Sequence, residues 1–128
     1  MSDKRQLCLG GVATARKPRL VVAGAIGFAG RAKDQLQKRG WEVVNVPTSD
    51  AVRAALTRKP TAMLLPDVTG IESGYLIAAK VLEARRKLRV VLVGATRTPE
   101  AERFAKFIGA GFVAETDGVS KLLAALEC

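Results

Sequence analysis

The chain has 128 residues, 48% hydrophobic and 5% aromatic, with a formal net charge of +9 and no histidine. That length suits one domain with a real core, and the missing histidine excludes a Ser-His-Asp triad or a Cys-His nucleophile. No apolar run approaches the roughly 18–20 residues that cross a bilayer, and neither Cys8 nor Cys128 has the CxxC spacing of a zinc ligand.

Residues 1–18 show no sustained period and read as a flexible basic tail, with at most a short strand or turn at Leu7–Leu9. Leu7-Cys8-Leu9 is too short for the apolar region of a signal peptide, so the expected location is cytoplasmic. Reduced thiols at Cys8 and Cys128 are the expectation there.

The ordered domain is expected over 19–128. Leu20-Val21-Val22-Ala23 is a continuous apolar run, the pattern of a strand buried on both faces. A glycine-rich turn leads into a helix over Ala29–Arg39, which Gly40 closes. Trp41–Val46 reads as an edge strand. Pro47-Thr48-Ser49 is expected to cap a helix carrying Val52, Ala55 and Leu56 that ends before Lys59-Pro60.

Ala62-Met63-Leu64-Leu65 is a third strand, followed by a loop over 66–74. Tyr75–Lys87 is a helix expected to turn Leu76, Ala79, Val81 and Leu82 inward, and Val90–Val93 is a fourth strand. Thr98-Pro99-Glu100 has the marks of a helix start: a capping hydroxyl, proline in the first turn, and an acid near the positive dipole end. Phe104, Phe107 and Ile108 are expected as its buried stripe. Phe112–Ala114 is a fifth strand, and Asp117–Leu126 a last helix with Val119, Leu122, Leu123 and Leu126 at helical spacing. Five strands alternating with five helices predict a parallel α/β sheet covered on both faces.

The charge is clustered. Residues 1–19 hold five cations against Asp3, and 80–89 hold five against Glu83. Such clusters meet phosphates, acidic proteins or merely water. No aromatic residue is interleaved with them to stack on bases, so nucleic acid is left as a weaker alternative, through the basic tail.

Gly40-Trp41-Glu42-Val43, Ala62-Met63-Leu64-Leu65, Glu72-Ser73-Gly74 and Ile108-Gly109-Ala110-Gly111 together resemble a response-regulator receiver domain, from Arg19 to the C-terminus. The third, fourth and fifth strand ends lie 28 and 22 residues apart, as in that family. The resemblance implies a flavodoxin-like, doubly wound five-stranded sheet in the order 2-1-3-4-5. In the family, two acids after the first strand hold Mg²⁺, an Asp after the third accepts phosphate, and a Ser/Thr and a Lys follow the fourth and fifth. Magnesium needs oxygen ligands, and phosphoryl transfer needs its charge neutralised.

The matching positions here are Gly24 and Ala25, Pro66, Gly94 and Thr116, and every one departs. Asp67 comes one residue late, which on a strand points its side chain to the other face. The resemblance therefore implies a pseudo-receiver: no enzyme, no metal or other cofactor, and a docking module for another protein. The face made by the fourth helix, fifth strand and fifth helix is the expected contact, with Arg97, Arg103, Lys106 and Lys121 as candidates. Arg85 and Arg86 form a second group.

The competing motif is Gly24-Ala25-Ile26-Gly27-Phe28-Ala29-Gly30, a GxxGxxG turn between strand and helix. Through Gly24, Gly27 and Gly30 such a turn lets backbone approach a nucleotide phosphate or another anion. Its context is poor: Tyr75 is followed four residues on by Ala79, giving no Tyr-x-x-x-Lys pair. The second strand also ends Asn45-Val46-Pro47, without an acid for a ribose hydroxyl.

Overall fold

Alternation within each strand decides the layering. A computed structural model describes residues 17–24, 29–67 and 73–127. In it β1 (Arg19–Ala23), β2 (Glu42–Val46), β3 (Ala62–Pro66), β4 (Arg89–Gly94) and β5 (Gly111–Ala114) form one parallel sheet in the order β2-β1-β3-β4-β5. The helices are α1 (Ala29–Lys38), α2 (Ala51–Thr57), α3 (Gly74–Ala84), α4 (Pro99–Ile108) and α5 (Val119–Glu127). Both the predicted architecture and the strand order are present.

Leu20, Val22, Leu64, Val91, Val93 and Val113 point to one side, where Leu36, Trp41, Leu122, Leu123 and Leu126 meet them in a core with Ala32. Val21, Ala23, Met63, Leu65, Val90 and Leu92 point to the other, against α2, α3 and α4. The two cores are built differently. The α1–α5 side packs bulky chains, and Trp41 is 2% exposed. On the other side α2 and α4 approach through the small residues Ala51, Ala54, Ala55 and Ala105, while α3 adds Ile77, Val81 and Leu82 beside Ala78.

The inward assignments of Leu76, Phe104 and Phe107 are thereby corrected, and Ala79 of α3, also expected inward, is only half-buried and stands outside the core. Leu56 is 51% exposed, Leu76 49%, Phe104 50% and Phe107 84%. α2 turns alanines to the sheet, with Val52 only partly buried, and α3 turns Ile77, Ala78, Val81 and Leu82. α4 turns Ala105, with Ile108 half-buried beside it. The predicted Thr98 cap is present, its hydroxyl accepting the Ala101 N–H at 3.0 Å. The cap predicted before α2 is not: a 3-10 turn over Thr48–Asp50 intervenes, and neither Pro47 nor Asp50 gives a side-chain cap bond.

Candidate functional site

Because β1 connects outward to β2 and the chain then returns past β1 to β3, the strand order reverses between β1 and β3. In doubly wound sheets ligands sit at that point, beyond the carboxyl ends of the strands. Here those ends are Gly24 and Pro66.

Side chains crowd Gly24 at the edge of the crevice between them. Gly24 has φ +91°, a conformation strained for a residue with a Cβ. A Cβ placed on it would lie 2.7 Å from Thr48 Cγ2 and 3.4 Å from Pro66 Cγ. The Gly24 N–H is already given to the Val46 carbonyl at 2.8 Å. A carboxylate at position 24 thus fails on backbone and on space, and Pro66 offers neither charge nor acceptor oxygen on its side chain.

The same holds at the next strand. A Cβ on Gly94 would lie 2.6 Å from Asp67 Oδ2 and 2.8 Å from Phe112 Cζ. Asp67 follows β3 and is held by its backbone, its N–H donating to Val93 O at 2.9 Å and its carbonyl accepting from Gly74 N–H at 3.0 Å. Its carboxylate is close enough to Tyr75 to help raise the phenol above its ordinary value, after the larger effect of burial. Strand alternation gave Asp67 the face opposite Pro66; Phe112 and Tyr75, its neighbours, both pack on the α2–α4 core.

Arg97, after β4, ion-pairs with both Glu102 of α4 and Asp117 beyond β5. Its guanidinium carbon lies 6.0 Å from the Phe112 ring centroid, within cation–π range. The Asp117 carboxylate also accepts the Ala114 N–H at 3.0 Å. That bond first, then the one from Arg97, holds its pKa below the usual carboxylate value.

The remaining predicted positions separate into used and exposed. Arg85 is half-buried and donates to the carbonyls of Pro60 and Ala55, at 3.2 and 3.4 Å. Arg86, Arg103, Lys106 and Lys121 are exposed, and Thr116 stands exposed in the turn after β5. Ala25 and Gly27 lie outside the described residues, as do Leu7–Leu9, Cys8, Glu72 and Cys128 and all of the tail but its last two residues. Gly30 is exposed, and a Cβ there would meet nothing within 4 Å. Among the described residues no group of acids or cysteines is placed to hold a metal, and no helix is long and apolar enough to cross a membrane. Thr48, Phe112 and Asp117 were not singled out from sequence as parts of this site; they enter it through long-range packing that no local motif announces.

No protein-family model matches the chain, and no curated protein does. Solved structures do. The signal receiver domain of a modulated diguanylate cyclase from Desulfovibrio desulfuricans superposes with TM-score 0.69 at 23% identity, over 87% of this chain and 91% of that one. A CheY-like response regulator receiver domain protein from Methanospirillum hungatei gives 0.74 at 16% identity, over 88% and 92%. The fold is that of a receiver domain. A response regulator from Burkholderia pseudomallei, solved with a phosphorylated aspartic acid and a calcium ion, gives 0.72 at 24% identity over 86% of this chain and 66% of its own. Identities this low establish the receiver fold, and what the fold does here has to be argued from its site.

Proposed function

We propose that this chain is a non-phosphorylatable receiver-like protein-interaction module, acting in the cytoplasm in bacterial signalling or spatial organisation. The observation that carries the reading is the crowding at Gly24 and Gly94. Where a receiver would hold metal and phosphoryl group, Gly24 is closed in by Thr48 and Pro66, and Gly94 by Asp67 and Phe112. A lost acid alone could leave an empty pocket. Crowding at both strand ends works against the group whose binding would shift a population between two states.

The module then offers a fixed surface. On the face formed by α4, β5 and α5, Arg103, Lys106 and Lys121 are exposed and supply positive charge, while Arg97 is engaged with Glu102 and Asp117. Arg86 adds an exposed cation beyond α3, and Arg85 serves the scaffold. Binding of a nucleotide or anion by Gly24, Gly27 and Gly30 has less support, since the Gly24 N–H is already spent on Val46.

Labelled acetyl phosphate with Mg²⁺ tests the reading. The expected result is an unlabelled protein with an unchanged amide spectrum, and a phosphoryl group on Asp67 overturns it. The docking face is tested by affinity capture with wild type beside an Arg103→Glu/Lys106→Glu/Lys121→Glu variant. A partner held by wild type and lost by the variant is expected, and equal capture by both removes that face.

A further inference from the structure

One side of the molecule carries apolar surface that the fold does not use. The Tyr75 ring of α3 stacks on Phe104 of α4 with centroids 5.0 Å apart and planes 25° from parallel. Phe107 lies three residues after Phe104 and so shares its face of the helix, with 84% of its surface exposed. On α3, Ala79 lies four residues after Tyr75 on the same face, and Leu76 stands beside them, half exposed. Tyr75, Leu76 and Ala79 on one helix and Phe104 and Phe107 on its neighbour thus form an apolar, largely aromatic patch across α3 and α4. Contiguous exposed aromatics mark contact surfaces, and aromatic side chains dominate the energetics of such contacts.

Charge decides what fits there. Arg85, Arg89 and Arg97 are engaged within the domain, but α3, α4 and the turn after α3 still expose Lys80, Arg86, Lys87, Arg103 and Lys106 against Glu83 and Glu100. Two such faces repel each other, which disfavours a second copy of this chain, whereas an acidic partner is attracted and oriented. We propose that the α3–α4 patch takes an amphipathic helix of a partner protein, with apolar residues at i, i+3 or i+4, and i+7, and Asp or Glu along its flanks. The inference rests on the interaction-module reading and moves the main anchor from β5 and α5 to Phe104 and Phe107.

The test is a selection of displayed random peptides of roughly 20 residues, long enough for a docking helix, against the whole chain. Binders are resynthesised and titrated by fluorescence anisotropy. The expected binders carry that apolar spacing with acidic flanks. They lose about tenfold or more in affinity against Phe107→Lys and against Phe104→Ala, and bind less tightly as salt rises. Phe107 is too exposed for its replacement to unfold the domain, and an unchanged melting curve for Phe107→Lys verifies that. Binders without acidic enrichment, binders indifferent to Phe107→Lys, an empty selection, or a dimer that Phe107→Lys dissociates would each overturn the inference. Binding that survives Phe107→Lys but is lost in Lys121→Glu would overturn it while leaving the interaction module in place.

Discussion

Arg97 and Asp117 join the ends of two adjacent strands: the guanidinium comes from the loop after β4 and the carboxylate from the turn after β5. Asp117 also accepts the Ala114 N–H, so one carboxylate organises the exit of β5 and receives the arginine. Glu102 holds the other side of the same guanidinium and ties α4 into the arrangement. A loop that must swing between two states is poorly served by three such attachments; a surface of constant shape is well served.

The pH dependence of stability follows from Asp117. Its folded pKa lies below the ordinary value of 3.8, so the charged carboxylate contributes stability above the unfolded pKa. That contribution is lost as pH falls through the lower folded value. Asp117→Asn is expected to melt below wild type at about pH 6, with the gap closing under acid conditions. Thermal melts of the two proteins across the acid range check it, and a gap that persists in acid contradicts it.

Restoring an acid at the first strand end should damage the fold without restoring chemistry. Gly24→Asp forces a Cβ into the left-handed region, costing about 1–2 kcal/mol, and drives it toward Thr48. Urea titration should show at least that loss, and Mg²⁺ should produce no stabilisation of the variant. Recovery of stability by added Mg²⁺ would mean that the crevice can take the ion.

Gly94 gives a parallel case without unusual backbone. Gly94→Ala sets a methyl against Asp67 Oδ2 and the Phe112 ring, and overpacking of this kind costs about 1–3 kcal/mol. Phe112→Leu added to it should recover part of the loss, a coupling expected only between touching groups. A double-mutant cycle by chemical denaturation reads the coupling directly.

Tyr75 is the chain's single tyrosine, so its phenolate absorbance reports one group. Burial, and secondarily the Asp67 charge, should place its midpoint above 10.0. Asp67→Asn is expected to lower the midpoint only in part, because the burial remains. An unchanged midpoint would mean that the two side chains do not sense each other.

The inward faces of the helices can be weighed by substitution. Ala54→Leu should cost about 1–3 kcal/mol through overpacking against the sheet, whereas Leu56→Ala should stay within about 0.5 kcal/mol. Paired denaturation curves measure both.

These last two residues also show where reading the chain from sequence succeeds and where it stops. β1, β3 and β4 are legible because a strand buried on both faces needs an unbroken apolar run, and Leu20–Ala23, Ala62–Leu65 and Val90–Val93 are such runs. α5 is legible because Leu122, Leu123 and Leu126 are both its largest apolar residues and its buried ones. α2, α3 and α4 separate those two properties. Their sheet-facing stripes include alanines, which permit close approach, so size points to Leu56, Leu76, Phe104 and Phe107 while burial goes elsewhere. At the site, the departures from the receiver pattern are visible in sequence: no acid at Gly24 or Pro66, and no hydroxyl at Gly94. That Thr48 and Phe112 crowd Gly24 and Gly94 is a matter of tertiary contact, and no spacing along the chain encodes it.

The exposed phenyl ring of Phe107 makes solubility a matter of electrolyte. At low ionic strength the net charge of +9 keeps molecules apart before their aromatic surfaces can touch. Screening shortens that reach from about 10 Å at 0.1 M salt to about 3 Å at 1 M, so concentrated salt should bring the rings together. The basic composition is then a colloidal safeguard, keeping the exposed rings of separate molecules apart in dilute electrolyte.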